Sequence, residues 1–333
     1  MILALTLNDW LVALHLWSAF ALVASMVLFW VLIVAARDCD SIEETIAYGR
    51  VGGIGSKVVG FGFGGTIVFG VWLAFNKDSY AIWDGWILAA IILWVIGGAT
   101  GGRAGTEYRK ALKRAEELKA AGQQEQPGEL RALNRSSRGL LLHTISSLAV
   151  LLILIDMIWK PGAPSLADLR PSNFNVPLFI HVGGAMILVG GVLTAAAALS
   201  FARGDVRQIR FGYFSLLFVA FPGLILTKLG ATLIWHKESS HSLMGAAFPH
   251  RDDPRWIEIG GTALDGGGAL LVLALILGWF GLRRIDGKTD FVAKLPIVGK
   301  WTGETLLRLT TLIALALLVG YFIAVWAMAG KPG

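Results

Sequence analysis

Apolar stretches long enough to cross a lipid bilayer recur along the whole chain. Each stretch predicts one transmembrane helix, because about 20 helical residues span the roughly 30 Å of hydrocarbon in a bilayer. Of the 333 residues, 55% are hydrophobic and only 16% are charged, which excludes an ordinary soluble protein. The sequence therefore predicts an all-α polytopic membrane protein. Its eight spans lie at about residues 10–36, 57–75, 83–102, 137–159, 177–202, 211–236, 260–281 and 304–329.

The Lys and Arg residues indicate how these spans are oriented. The loops after spans 1, 3, 5 and 7 carry 20 of them, whereas the other loops and the chain ends carry 7. Cytoplasmic loops are enriched in Lys and Arg, so we expect both termini on the outer side of a bacterial inner membrane. The net charge of +6 then reflects topology, and we expect no nucleic-acid partner. The single cysteine, Cys39, excludes an intrachain disulfide or a CxxC site.

The stretch from Trp10 to Arg37 is repeated 166 residues later in the chain. The identities include the only histidine of each segment, and they are spaced as one stripe on a helix. A chance match between two apolar segments would scatter its identities around the helix. The paired residues are His15 and His181, Ala19 and Ala185, Leu22 and Leu188, Val23 and Val189, and Arg37 and Arg203.

Further matches follow in the same order along the chain. The segment 70–77 matches 230–237, and Gly98 matches Gly278. Each half contains four spans, an even number, so the two copies share one orientation in the membrane. The sequence therefore predicts a tandem parallel duplication, with repeats at 1–162 and 163–333.

The loop between spans 3 and 4 is the largest element expected outside the membrane. Its charged residues mix both signs in a helical register, which predicts a cytoplasmic helix at about 103–126. A solvated helix near the lipid headgroups is one interpretation. The alternative is a docking surface at 103–138 for subunits of a respiratory complex.

Ionisable side chains within the predicted spans are the main candidates for chemistry, because such groups are costly in hydrocarbon. His15 and His181 lie near the outer surface, with Asp265 and Lys228 at similar depth. Two neutral imidazoles facing a shared interior could ligate a haem iron. The alternatives are proton transfer beside Asp265 and Lys228, histidines that serve only as hydrogen-bonding groups between helices, and a simple ion pair between Asp265 and Lys228.

The outer loop after span 6 contains further possible metal ligands. His241 and His250 lie in this loop and His236 immediately precedes it. Imidazoles bind copper and zinc, but the spacing here matches no compact ligand motif. Surface histidines without a metal are therefore the competing interpretation, and copper remains an alternative cofactor.

Several short motifs recur at the ends of the predicted spans. They are Leu14-His15, Arg37, Gly70-x-Trp72-Leu73, Trp83 to Trp86 and Trp159-Lys160-Pro161, with Ile180-His181, Arg203, Gly230 and Lys331-Pro332 in the second half. These motifs resemble a superfamily of bacterial four-helix membrane proteins that includes the non-flavin membrane protoporphyrinogen oxidase and the copper-resistance D family. The resemblance implies the fold and a haem b ligand at the first-span histidine, here His15 and, in the second copy, His181. The lysine that the oxidase family carries in its third span has no counterpart in span 3 or span 7, so the resemblance extends to haem binding more than to the reaction.

Three functions are compatible with this sequence. We expect a haem b protein of the inner membrane that serves electron transfer or haem handling, with His15, His181, Lys228 and Asp265 at its site. A metal or small-solute transporter is the first alternative, with the outer-loop histidines capturing the ion. A non-catalytic scaffold subunit of a membrane complex is the second.

Overall fold

The fold is helical throughout the part of the chain that the structure describes. A computed structural model describes residues 6–77, 81–123, 125–163, 172–202, 204–239, 255–288 and 298–330. Eight helical segments in these ranges are long and apolar enough to cross a membrane, which confirms the predicted number of spans. The helices are Leu7–Ala36 (α1), Ile42–Asn76 (α2), Gly85–Ala120 (α3), Gly128–Asn134 (α4), Ser137–Trp159 (α5), Asn175–Phe201 (α6), Val206–Ser215 (α7), Phe221–Ser239 (α8), Arg255–Ile285 (α9) and Gly303–Gly330 (α10).

Two of the eight segments are interrupted helices. The short α4 leads into α5, and a π-helical turn over Leu216–Ala220 joins α7 to α8. The sequence predicts neither feature. A π-turn adds one residue to a helical turn without breaking the helix, so the faces of α8 are shifted by one residue relative to those of α7.

Helix starts follow from local capping residues. Thr6 and Asp9 form a reciprocal capping box at the start of α1. Ser41 accepts a hydrogen bond from the Glu44 amide and starts α2 at Ile42, well before the predicted start of the second span at residue 57. At its other end, α3 continues beyond the apolar stretch to Ala120, where the sequence predicts a helical extension.

α1 and α6 lie at the centre of the bundle. They contact each other, and half of the most apolar stretch of each is buried, more than in any other span. α2 packs along α1, and α7 and α8 pack along α6. α3 pairs with α5, α9 pairs with α10, and α10 also contacts both central helices. The largest apolar core therefore follows α1 and α6.

Two glycines of α2 allow the close approach of α1. A methyl group built on Gly62 would lie 2.8 Å from Cα of Leu22, and one built on Gly65 would collide with the Ser18 hydroxyl. Gly60 and Gly64, four residues apart, are the pair whose spacing predicts close helix contact. The structure corrects this expectation, because both face open space on the other side of α2.

A small second core links the first turns of α2 to the extension of α3 and to α4. Its buried members are Ile42, Ile46, Ala111, Ala115, Leu118 and Leu130. Ion pairs at its surface, Arg114 with Glu129 and Lys119 with Glu43, join the same elements. The extension is therefore packed against the bundle as well as solvated.

Candidate functional site

The imidazole of His15 is held against α2. Its Nδ1 lies 3.0 Å from the backbone carbonyl oxygen of Thr66. Gly70, one turn further along α2, leaves room for the ring, since a methyl group there would lie 2.9 Å from Cε1 of His15. One hydrogen bond thus holds the ring in place, and the absence of a side chain on Gly70 leaves the space that the ring occupies.

His181 on α6 makes the same type of hydrogen bond to a threonine carbonyl, here on α8. Its Nδ1 lies 3.0 Å from the carbonyl oxygen of Thr227. Gly230 follows on α8, and a methyl group there would lie 2.6 Å from Cα of His181. Both histidines therefore pair with a threonine carbonyl on the neighbouring helix.

These contacts determine which nitrogen of each neutral ring carries the proton. A carbonyl oxygen only accepts hydrogen bonds, so Nδ1 must carry the proton and donate it. In a neutral imidazole this leaves the lone pair on Nε2. Histidines that ligate metals are commonly held in this way, with the other ring nitrogen donating to a carbonyl. His15 and His181 thus have the donor chemistry that a haem iron requires.

The two histidines lie in different helix pairs rather than facing one shared interior. α1 and α6 meet where Gly190 packs against Ala24. His15 is nine residues before Ala24, and His181 is nine residues before Gly190. Nine residues turn a helix by about 900°, or two and a half turns, so each histidine points away from the other central helix. The geometry therefore favours two separate sites over one iron held by both residues.

Lys228 and Asp265 form an ion pair between α8 and α9. Lys228 Nζ lies 2.5 Å from Oδ1 of Asp265. Lys228 directly follows Thr227, the partner of His181, but the side chain extends towards α9. Of the two interpretations of these residues, an ion pair is the one that the geometry shows.

A third histidine, His143, is buried on α5. The centroid of its ring lies 4.9 Å from that of Trp30, and the residue is 5% exposed. Its Nε2 has no hydrogen-bond partner within the described ranges. Trp30 also donates a hydrogen bond to Ser147, so α1 and α5 are joined by a polar contact beside His143.

The remaining metal-ligand candidates fall partly outside the described ranges. His236 lies in the last turn of α8, whereas His241 and His250 lie between residues 239 and 255, outside the described residues. Among the residues that are described, no group of three or more His, Cys, Asp or Glu side chains could hold a metal ion. The outer-loop metal site therefore stays a sequence prediction.

Sequence analysis did not identify Thr66 and Thr227. Their contribution is a backbone carbonyl, which any residue type carries, so composition gives no signal. A comparison of spacings could have found them, because Thr227 follows Thr66 by 161 residues and both lie on the helix after a histidine-bearing span.

Comparisons with known proteins identify no relative. Neither protein-family models nor curated proteins nor solved structures match this chain. Function is therefore inferred from the residues of the chain itself.

Proposed function

We propose that the chain is a tandem duplication of a four-helix unit, with repeats at 1–162 and 163–333. The strongest support is a set of contacts made twice. Gly62 packs on the backbone of Leu22, and Gly223 packs on the backbone of Leu188. The contact residues differ by 166 on the first helix and by 161 on the second, as do His15 and Thr66 from His181 and Thr227.

A reciprocal exchange of small and large residues supports the same duplication. In the first half, Gly65 of α2 faces Ser18 of α1. At the equivalent positions of the second half, Leu226 of α8 faces Gly184 of α6. One helix in each pair contributes a glycine at this crossing, which keeps the backbones close. The glycine at this crossing lies on α2 in the first half and on α6 in the second half.

The distribution of basic residues supports termini on the outer side of a bacterial inner membrane. In that orientation the first turns of α1 and α6 lie towards the outer face. His15 is about 12 Å and His181 about 9 Å from the start of its helix, at 1.5 Å per residue. The extension of α3 and α4 then lie on the cytoplasmic side, where the 103–138 segment could contact a respiratory-complex subunit.

The function that this site supports best is binding of haem b through His15 and His181 near the outer face. The observation that carries it is the repeated hydrogen bond from Nδ1 to a threonine carbonyl, because this bond leaves the lone pair of each Nε2 available to bind an iron. Haem, when bound, supplies reversible one-electron transfer. The chain's own contribution is to orient each ring and to surround it with apolar helix faces. This supports a role in electron transfer or haem handling.

An optical spectrum of the purified protein tests this proposal. We expect a Soret band, and a broad visible band after reduction with dithionite, because each iron would have one histidine ligand. Both bands should be lost when His15 and His181 are together changed to Ala. His236→Ala, at the end of α8, is the matched control and should keep the bands. A protein that stays colourless after haem is supplied would contradict haem binding and leave the transporter and scaffold alternatives.

A further inference from the structure

One face of α8 forms a shallow groove that contains an intramembrane charge. The groove encloses about 400 Å³ and is lined by Leu224, Ile225, Lys228, Leu229 and Thr232. Ile225 and Leu229 are 53% and 45% exposed, so the groove opens sideways from the bundle. Apart from Lys228 and Thr232, its lining is aliphatic.

The ion pair at this groove is only partly covered by protein. The side chains of Lys228 and Asp265 are 31% and 36% exposed. Next to the pair, α8 and α9 pack closely at Leu224, because a methyl group on Gly268 would lie 3.2 Å from that side chain. The side chains of the charged pair are therefore partly exposed beside a junction where α8 and α9 pack through Leu224 and Gly268.

The depth of the pair restricts what could cover it. Lys228 is nine residues from Lys237, and Asp265 is ten residues from Arg255. At 1.5 Å per residue the pair lies about 13–15 Å from these charged helix ends. A charged headgroup would have to leave the interface to reach it, and charge is strongly disfavoured at that depth in hydrocarbon. An uncharged polar head on an apolar tail reaches this depth without that cost.

We propose that this groove binds an isoprenoid quinone dissolved in the membrane. Lys228 donates a hydrogen bond to a quinone carbonyl, and Asp265 accepts one from the hydroxyl of the reduced form. The tail lies along Ile225 and Leu229. A donor and an acceptor side by side match a molecule whose oxygens change from acceptors to donors on reduction. Neither a phospholipid phosphate nor a purely apolar lipid chain uses both groups.

The equivalent position in the first half carries no charge. On α8, Lys228 follows Thr227. On α2, the residue that follows the equivalent Thr66 is Ile67. The first half therefore has no equivalent charged pair at this crossing. The proposal does not require haem, so quinone binding and haem binding can fail independently.

The test uses full-length protein in nanodiscs free of quinone, titrated with a decyl-substituted benzoquinone. We expect saturable binding of one quinone per chain. Lys228→Met with Asp265→Leu removes both charges at similar volume, a change that buried pairs often tolerate. This variant should bind roughly tenfold more weakly or worse, because it removes the two charged groups that hydrogen-bond the quinone oxygens. Glu304→Gln with Arg308→Gln removes an exposed pair on α10 and is the matched control.

A photoreactive azidoquinone gives a second measurement on the unmodified protein, which does not depend on the folding of any variant. Label on the peptide that contains residues 221–239 supports the site. Absence of saturable binding, equal affinity in the double variant, or label confined to other helices overturns the proposal. Tight retention of phospholipid alone in the groove, with no displacement by quinone, also overturns it.

Discussion

The carbonyl oxygen of Ala24 on α1 lies against Gly190 on α6, so that a methyl group built on the glycine would sit 3.1 Å from it. The two residues are 166 positions apart, as are His15 and His181. In a two-fold arrangement, equivalent surfaces meet each other and equivalent residues meet on the axis. A contact of this kind is expected on the pseudo-two-fold axis that the proposed duplication requires.

Changing Gly190 to Val should loosen the contact between the two halves. The added atoms would collide with Val27, whose Cβ would lie 2.6 Å from the new Cβ. We expect the free energy of unfolding to fall by about 1–3 kcal/mol, the usual cost of overpacking. Thermal unfolding in detergent measures this change. Gly183→Val on the same helix is the control, because a methyl group there meets nothing within 4 Å; equal losses in both variants would argue against the crossing.

Gly70→Ala should disturb the His15 site without unfolding the protein. The new methyl carbon would lie 3.0 Å from Nδ1 of His15, the atom that donates to Thr66. Loss of such a supporting contact typically weakens metal binding by about 10–100-fold. Haem titration of the apoprotein measures the effect. Gly64→Ala, also on α2 but facing open space, should bind haem normally, and a normal affinity in Gly70→Ala would contradict the assigned ring position.

The thiol of Cys39 should react slowly in the folded protein. Burial raises the pKa of this thiol to about 12, and the carboxylate of Glu44 adds to the shift. Because only the thiolate reacts, the rate of alkylation should rise about tenfold per pH unit between pH 8 and pH 11. In SDS the rate should instead level off above the ordinary pKa of about 8.5. A plateau at that pH in the native protein would show that the thiol is not buried as described.

The orientation in the membrane can be read from single cysteines in a Cys39→Ser background. Ala81 and Glu116 are both exposed, in the loop after α2 and in the extension of α3. We expect a membrane-impermeant maleimide to label Ala81→Cys in intact spheroplasts and Glu116→Cys only after lysis. The reverse pattern would place both termini on the cytoplasmic side.

Much of the fold is predictable because apolar length alone determines the spans. The start of α2 at Ile42 is not, since the segment from Glu43 to Lys57, which mixes charged, apolar and glycine residues, continues the helix beyond the apolar stretch. Glycine spacing also misleads: Gly60 and Gly64 are four apart and face open space, whereas Gly62 and Gly65 contact α1. Helical spacing shows which residues share a face, but not which neighbour that face meets.

The candidate site is predictable only in part for the same reason. Repetition identifies His15 and His181, but their placement on opposite sides of the α1–α6 pair depends on where the helices cross. Lys228 and Asp265 lie on different helices, so no spacing along the chain predicts their ion pair. Short repeats also leave the alignment of the two halves ambiguous. The sequence aligns Gly70 with Gly230, a shift of 160 residues, whereas the equivalent contacts of Gly62 and Gly223 give a shift of 161 residues.

The most direct test of haem binding by two separate histidines is the haem content per chain of the wild type and of each single variant. We predict two haems in the wild-type protein after reconstitution, and one each in His15→Ala and His181→Ala, quantified as the pyridine haemochrome against protein concentration. Loss of all haem in either single variant would show one shared iron and contradict the two-site geometry. Unchanged haem content in both variants, or none in the wild type, would contradict haem binding by these histidines altogether.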